Sequence, residues 1–199
     1  MSISKDLLIT YGAEMISLKP NEYLFAENDA PLYYFQILTG KIKLANIKGN
    51  DGEFIQSFHH EGESVGEVFL FCKHHRYPAS AVAMEECTVL RLGRYQFVQL
   101  LESDFQIQLG FLRNCAERTY YSYLFLNSLT SEDAAHQLLT VMTHLKENQD
   151  LSEKYAFKIP YTRRELASMT GLRIETVIRI LKKLESEHVV KITRGRVYF

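Results

Sequence analysis

Between residues 105 and 126, apolar side chains return at alternating steps of four and three: Phe105, Leu109, Leu112, Ala116, Thr119, Tyr123 and Leu126. That is the spacing of a helical seam, because a return every 3.5 residues keeps one stripe turned toward a partner. Phe111, Cys115, Tyr121 and Phe125 lie off the stripe. A helix that is apolar on more than one side must bury more than one side. One side is expected to pack on its own chain and the other on a second copy, so the pattern predicts a homodimer.

The period upstream is different. Residues 14–97 read as short strands: "EYLFAEND", "LYYFQILTGKIKLANI", "EFIQSFHHEGE" and "CTVLRLG" alternate or run apolar, and Gly40, "KGNDGE" and Gly62 mark turns. Closely spaced strands of this kind predict a sandwich or barrel rather than a parallel sheet. "ISKDLLITYG" ahead of them predicts a short helix. Downstream, "EDAAHQLLTVMTHLKE" predicts another amphipathic helix, capped by Thr130 or Ser131. The chain has 199 residues, 46% of them hydrophobic and 24% charged, which is enough core for one large domain or two small ones. The opening "MSISKDLLIT" has no signal-like apolar run, and no stretch approaches the length of a membrane span. Three widely spaced cysteines, Cys72, Cys87 and Cys115, point to a reducing cytoplasm and form no C-x-x-C metal pair. They leave a role in sensing oxidation open, beside the ordinary one of buried thiols.

The last forty residues carry a motif. "TRRE" at 162–165 is a capping box, with Thr162 capping a short helix and Glu165 reaching back to its start. Gly171 makes a turn, and "LRIETVIRILKKLE" follows as a second helix. On a helical wheel Val177, Ile180, Leu181 and Leu184 form its buried stripe, while Glu175, Arg179 and Lys182 share the outer face with Ile178 among them. "HVVKITRGRVYF" then reads as strand, basic Gly turn and strand, the wing of a winged helix-turn-helix. From Lys158 onward there are ten Lys or Arg and four Asp or Glu, about +6, against about −7 for residues 1–157. The basic end is expected to meet a polyanion, with the second helix entering the major groove of double-stranded DNA.

These segments resemble the family of the cyclic-AMP receptor protein and the fumarate–nitrate regulator, Crp/Fnr. "YLFAENDAPLYYFQILTGKIKL" resembles its barrel signature, "GESVGEVFLF" with "RYPASAVA" and "TVLRL" its effector-pocket segment, and "TRRELASMTGLRIETVIRILKKLE" its DNA-reading motif. The resemblance implies an α+β chain. It would have a cyclic-nucleotide-binding-type β-barrel (jelly roll) over 1–98, a dimerisation helix over 99–128 and a winged helix-turn-helix over 129–199. It further implies a bacterial transcription regulator that is not an enzyme, with RNA polymerase as a further partner and no membrane association. The family's E-T-x-x-R pattern is kept as Glu175, Thr176 and Arg179. A carboxylate accepts from cytosine N4, a guanidinium donates twice to guanine O6 and N7, and Ile178 suits a thymine methyl. Spacing of four also lets Glu175 and Arg179 pair without DNA. Ile174, in place of a basic reader, resembles the fumarate–nitrate branch, and Arg173 replaces the usual Ser or Thr cap. Thr162, Arg163, Arg173, Thr176, Lys182, Arg194 and Arg196 are the expected backbone contacts.

For an effector, the resemblance implies a pocket at Gly66, Glu67, Arg76 and Ser80. "YPAS" stands where nucleotide-binding members carry Arg-Ser, with Pro78 in the arginine's place. An anionic phosphodiester buried without a cation is costly, so the usual cyclic-nucleotide site is expected to be lost. A nucleotide held instead by Glu67 and Arg76 is the alternative. No cysteine precedes Cys72, which argues against the iron–sulfur cluster of other members. His59-His60 and His74-His75 leave haem open, yet adjacent histidines point apart. They also supply the rival reading, a metal-dependent cupin-like enzyme, for which "FHHEGE" lacks the H-x-H pair.

Overall fold

The computed structural model describes residues 2–47, 52–129, 133–147 and 153–199. The chain divides into two compact units, Met1–Glu117 and Arg118–Phe199.

In the first unit a short helix α1 (Lys5–Thr10) precedes, among the described residues, seven strands: β1 (Glu14–Leu18), β2 (Tyr23–Phe25), β3 (Tyr33–Thr39), β4 (Ile42–Ile47), β5 (Glu53–His59), β6 (Ser80–Ala83) and β7 (Cys87–Gly93). All pair antiparallel in two sheets, of order β1-β7-β3 and β2-β6-β4-β5. The two sheets enclose one core, in which Leu18, Phe35, Ile37 and Val89 of the first meet Phe25, Ile42, Leu44 and Ala81 of the second. Successive residues of a strand face opposite ways, so β7 also supplies Leu90 and Leu92 to a second core outside its sheet. There Leu8 of α1 and Phe97 and Leu100 of helix α2 (Arg94–Ser103) cover them. Gly40 turns β3 into β4 at φ 90°, and a Cβ there would come within 2.6 Å of the Glu86 carbonyl.

Helix α2 stops at Asp104, which is extended at φ −142°, and helix α3 runs from Phe105 to Leu129. Residues 99–103 therefore belong to the last turns of α2. Asp104 caps the new helix, its Oδ1 accepting from the Gln106 and Ile107 N–H groups at 2.7 and 3.2 Å.

The second unit adds α4 (Ala134–Glu147), α5 (Arg163–Thr170), α6 (Ile174–Ser186) and the hairpin β8 (Lys191–Thr193) and β9 (Arg196–Tyr198). Its core gathers Leu138 and Met142 of α4, Leu166 of α5, Val177, Leu181 and Leu184 of α6, and Val197 of β9. Thr130 and Ser131, expected to cap α4, lie outside the described residues; Asp133 takes that place, its Oδ1 accepting from Ala135 N–H at 2.9 Å. Among the described residues no helix is long and apolar enough to cross a membrane.

Candidate nucleic-acid interface

The α5–turn–α6 unit is set by local chemistry. Thr162 Oγ1 accepts from Glu165 N–H at 3.2 Å and Glu165 Oε2 accepts from Thr162 N–H at 2.6 Å, so the capping box is complete. Gly171 ends α5 in the left-handed region at φ 70°, where a side chain is disfavoured. Arg173 opens α6 without a side-chain cap bond, as its replacement of Ser or Thr predicts. Val177, Ile180, Leu181 and Leu184 are buried beneath α6, while Arg173, Ile174, Glu175, Arg179 and Lys182 are exposed. Thr176 and Ile178 are partly buried. Ile178 thus lies at the border of the outer face rather than in its middle, one turn from buried Leu181. The expected Glu175–Arg179 ion pair is not formed: neither side chain has a hydrogen bond, ion pair or ring contact among the described residues. An exposed pair at this spacing gains only about 0.3–0.5 kcal/mol, too little to hold two long side chains together.

The wing is held from below by a segment that sequence reading missed. Phe157 and Phe199 exchange backbone bonds at 3.3 and 2.8 Å, and Ile159 N–H donates to the Val197 carbonyl at 2.9 Å, so residues 157–159 add a third extended piece to the hairpin. Buried Phe157 and Ile159 alternating with exposed Lys158 were the available signal. The hairpin turns on Arg194 and Gly195, with φ 49° and 74°. Two residues at positive φ form the I′-like turn whose twist suits a hairpin. Arg163 Nη1 donates to the Gly195 carbonyl at 3.4 Å, tying α5 to this turn. Arg194 and Arg196 are exposed. Together with Arg173, Arg179 and Lys182 they have no protein partner among the described residues. Cationic heads left in solvent at one end of an acidic chain can take phosphate oxygens without first breaking an internal bond.

Along α3, Phe105, Leu112, Tyr123 and Leu126 are 67%, 56%, 73% and 61% exposed, Ala116 and Thr119 are exposed, and Leu109 is partly buried. The off-stripe side behaves oppositely: Phe111 is buried against Phe97, and Cys115 packs on the same core. Tyr121 and Phe125, also off the stripe, are partly buried.

The residues expected to form an effector pocket differ in exposure and in the partners they hold. Gly66, Glu67 and Ser80 are buried, whereas Arg76 is exposed and its Nη1 donates to the Asn28 carbonyl at 2.7 Å. Ser80 Oγ accepts from Glu27 N–H at 2.9 Å, and Glu67 Oε1 accepts from Asn114 Nδ2 at 3.2 Å. The space beside Gly66 is filled by the Phe25 and Tyr77 rings, and Phe69 meets Tyr77 edge-on. His59 is buried with its Nε2 2.9 Å from Ser57 Oγ, while His60, His74 and His75 are exposed. Among the described residues, no three His, Cys, Asp or Glu side chains gather as a metal site would require. Cys87 is buried, and burial pushes its thiol above the ordinary cysteine range against the bonds to the Lys41 and Glu85 carbonyls. Cys72 is exposed and Cys115 partly buried.

Known proteins match both units. A family model described as "Cyclic nucleotide-binding domain" matches residues 15–104, and one described as "Crp-like helix-turn-helix domain" matches residues 134–199. The cAMP-activated global transcriptional regulator CRP of Salmonella typhimurium is 27% identical over 166 residues, 82% of this chain and 78% of that protein. A CooA variant from Carboxydothermus hydrogenoformans superposes with a TM-score of 0.82 at 18% identity, covering 100% of this chain and 87% of that one. The c-di-GMP responsive global regulator CLP of Xanthomonas campestris superposes with a TM-score of 0.75 at 17% identity, over 98% and 96% of the two chains.

Proposed function

The chain belongs to the Crp/Fnr family of DNA-binding transcription regulators, and we propose that it acts as a homodimer that reads a pseudo-palindromic operator. One observation carries this reading: Glu175 and Arg179 stand exposed on the outer face of α6, opposite its buried stripe, and unpaired among the described residues. Glu175, Ile178 and Arg179 read base edges, while Thr162, Arg163, Arg173, Thr176, Lys182, Arg194 and Arg196 hold the backbone. The exposed α3 stripe, Phe105 to Tyr123, closes the dimer. Barrel with α2, dimerisation helix and reader divide the chain near 104 and 128. The protein works in the cytoplasm, is not an enzyme and meets RNA polymerase at the promoter.

The relative CRP is cAMP-activated by name. The residues of this chain do not fit that group in the same way, since Arg76 is turned to a backbone carbonyl at the surface and aromatic rings fill the space beside Gly66. No nucleotide, iron–sulfur cluster or haem is assigned to it. Selection of bound sites from random duplex DNA tests the reading. We expect an enriched two-fold sequence with half-sites about one turn, ~34–36 Å, apart. Enrichment of a single asymmetric site, or of none, would reject it.

A further inference from the structure

Tyr77 is 2% exposed at the heart of the core between the sheets. Its ring lies flat on Phe25, with centroids 3.6 Å apart and planes 11° from parallel, and Phe69 meets it edge-on at 5.9 Å. Its backbone is pinned on both sides, its N–H donating to the Asp29 carbonyl and its carbonyl accepting from Asn28 N–H, both at 2.9 Å. Gly66 passes so close to this stack that a Cβ would come within 2.7 Å of Phe25 and 3.1 Å of Tyr77. The rings therefore fix the path of the Gly66–Glu67 turn. The next link is polar. Glu67 is fully buried, and its Oε1 accepts from Asn114 Nδ2 at 3.2 Å. Asn114 lies on α3, two residues from both Leu112 and Ala116 of the exposed stripe.

We propose that the Tyr77 ring takes the place of a bound effector, holding the Gly66–Glu67 turn and, through Glu67 and Asn114, fixing α3 without any small molecule. Tyr77 is then a positioning residue, and the barrel is a permanently filled sensor. This deepens the preceding reading, because it makes the regulator's barrel fixed rather than ligand-gated. The ring matters and the hydroxyl does not. Tyr77 Oη is buried without a hydrogen-bond partner, and burial, with the charges of Asp29 and Glu67, pushes its pKa up, so it stays a neutral phenol.

Hydrogen exchange of the full-length protein, read on the α3 peptide containing Asn114, tests the coupling. Tyr77→Ala should speed exchange there roughly tenfold or more, because the turn that holds Glu67 loses its support. Phenol, filling the vacated space, should restore protection, and Tyr77→Phe should exchange like the native chain. Cyclic AMP and cyclic GMP should leave native α3 exchange unchanged. Unchanged exchange in Tyr77→Ala, no recovery with phenol, or α3 protection by either nucleotide in the native protein would each overturn the proposal. Should Tyr77→Ala fail to fold, Tyr77→Leu is judged by the same criterion, and the nucleotide measurement stands on the native chain. None of these readings involves DNA, so failure to bind an operator would reject the previous reading and leave this one to the exchange result.

Discussion

Among the described residues Arg179 projects from α6 with no partner, four residues after an equally unpaired Glu175. Because no described residue bonds its guanidinium, Arg179→Ala is expected to leave unfolding free energy within about 0.5 kcal/mol of the native value. Operator affinity should fall by about 1–3 kcal/mol, with preference relaxed at one base pair. Denaturant unfolding and competition against single-base operator variants check the two halves separately. Arg194 presents the opposite trade. At φ 49° it occupies a turn position where Asn or Gly is preferred, and a long β-unbranched cation gains nothing there from the fold. Arg194→Asn should therefore raise stability, by up to about 1 kcal/mol, while weakening binding to every duplex alike. Higher stability with undiminished affinity for random DNA would remove Arg194 from the backbone contacts.

At the scale of elements, α3 is the part whose sequence says most about what it needs. Its exposed stripe and its covered side are separated on one helix, so a charge can be placed on the first without touching the second. Leu112 is 56% exposed in the single chain, whereas Phe111 beside it is buried. Leu112→Glu is accordingly expected to leave the barrel folded, abolish self-association in sedimentation, and with it the footprint on a full palindrome. A monomer that still protects both half-sites would contradict the role given to the stripe. The same contrast explains which elements were legible. The seam, the capping box and the Gly171 turn have local causes: a period, two reciprocal side-chain bonds, and a backbone angle. The four residues of β6, Ser80 to Ala83, are all buried and show no alternation, so no period marks them as a strand. Residues 157–159 become a third piece of the wing only by pairing with residues 197–199, a contact that short extended segments do not announce. The break at Asp104 was hidden because apolar residues continue on both sides of it; only its aspartate, a capping type, hinted at a new helix. Among the site residues, the outer face of α6 followed from its wheel, whereas the filling of the barrel did not. In "RYPAS" the resemblance leads one to expect no phosphate cation, but nothing in those residues says that Tyr77 turns inward onto Phe25.

The whole molecule is divided by charge. Residues 1–117 carry ten Lys or Arg and fifteen Asp or Glu, a net −5, while the segment from Lys158 onward carries about +6. An acidic barrel repels duplex DNA, so attraction is confined to the winged helix and should be carried by identifiable cations. Four exposed side chains with no partner among the described residues are directed at the backbone in the proposed complex: Arg173, Lys182, Arg194 and Arg196. Two copies per operator would neutralise about eight phosphates, and each releases condensed counterions. The logarithm of operator affinity should then fall with the logarithm of salt concentration at a slope of about −7. Replacing Lys182 by Ala should reduce that slope by about two, one phosphate per protomer, whereas Arg179→Ala should lower affinity with a smaller change in slope. Fluorescence anisotropy across a salt series measures all three. A native slope near −2 would mean that most of these cations stay in solvent when DNA is bound, and the basic segment would then owe its charge to something other than the duplex.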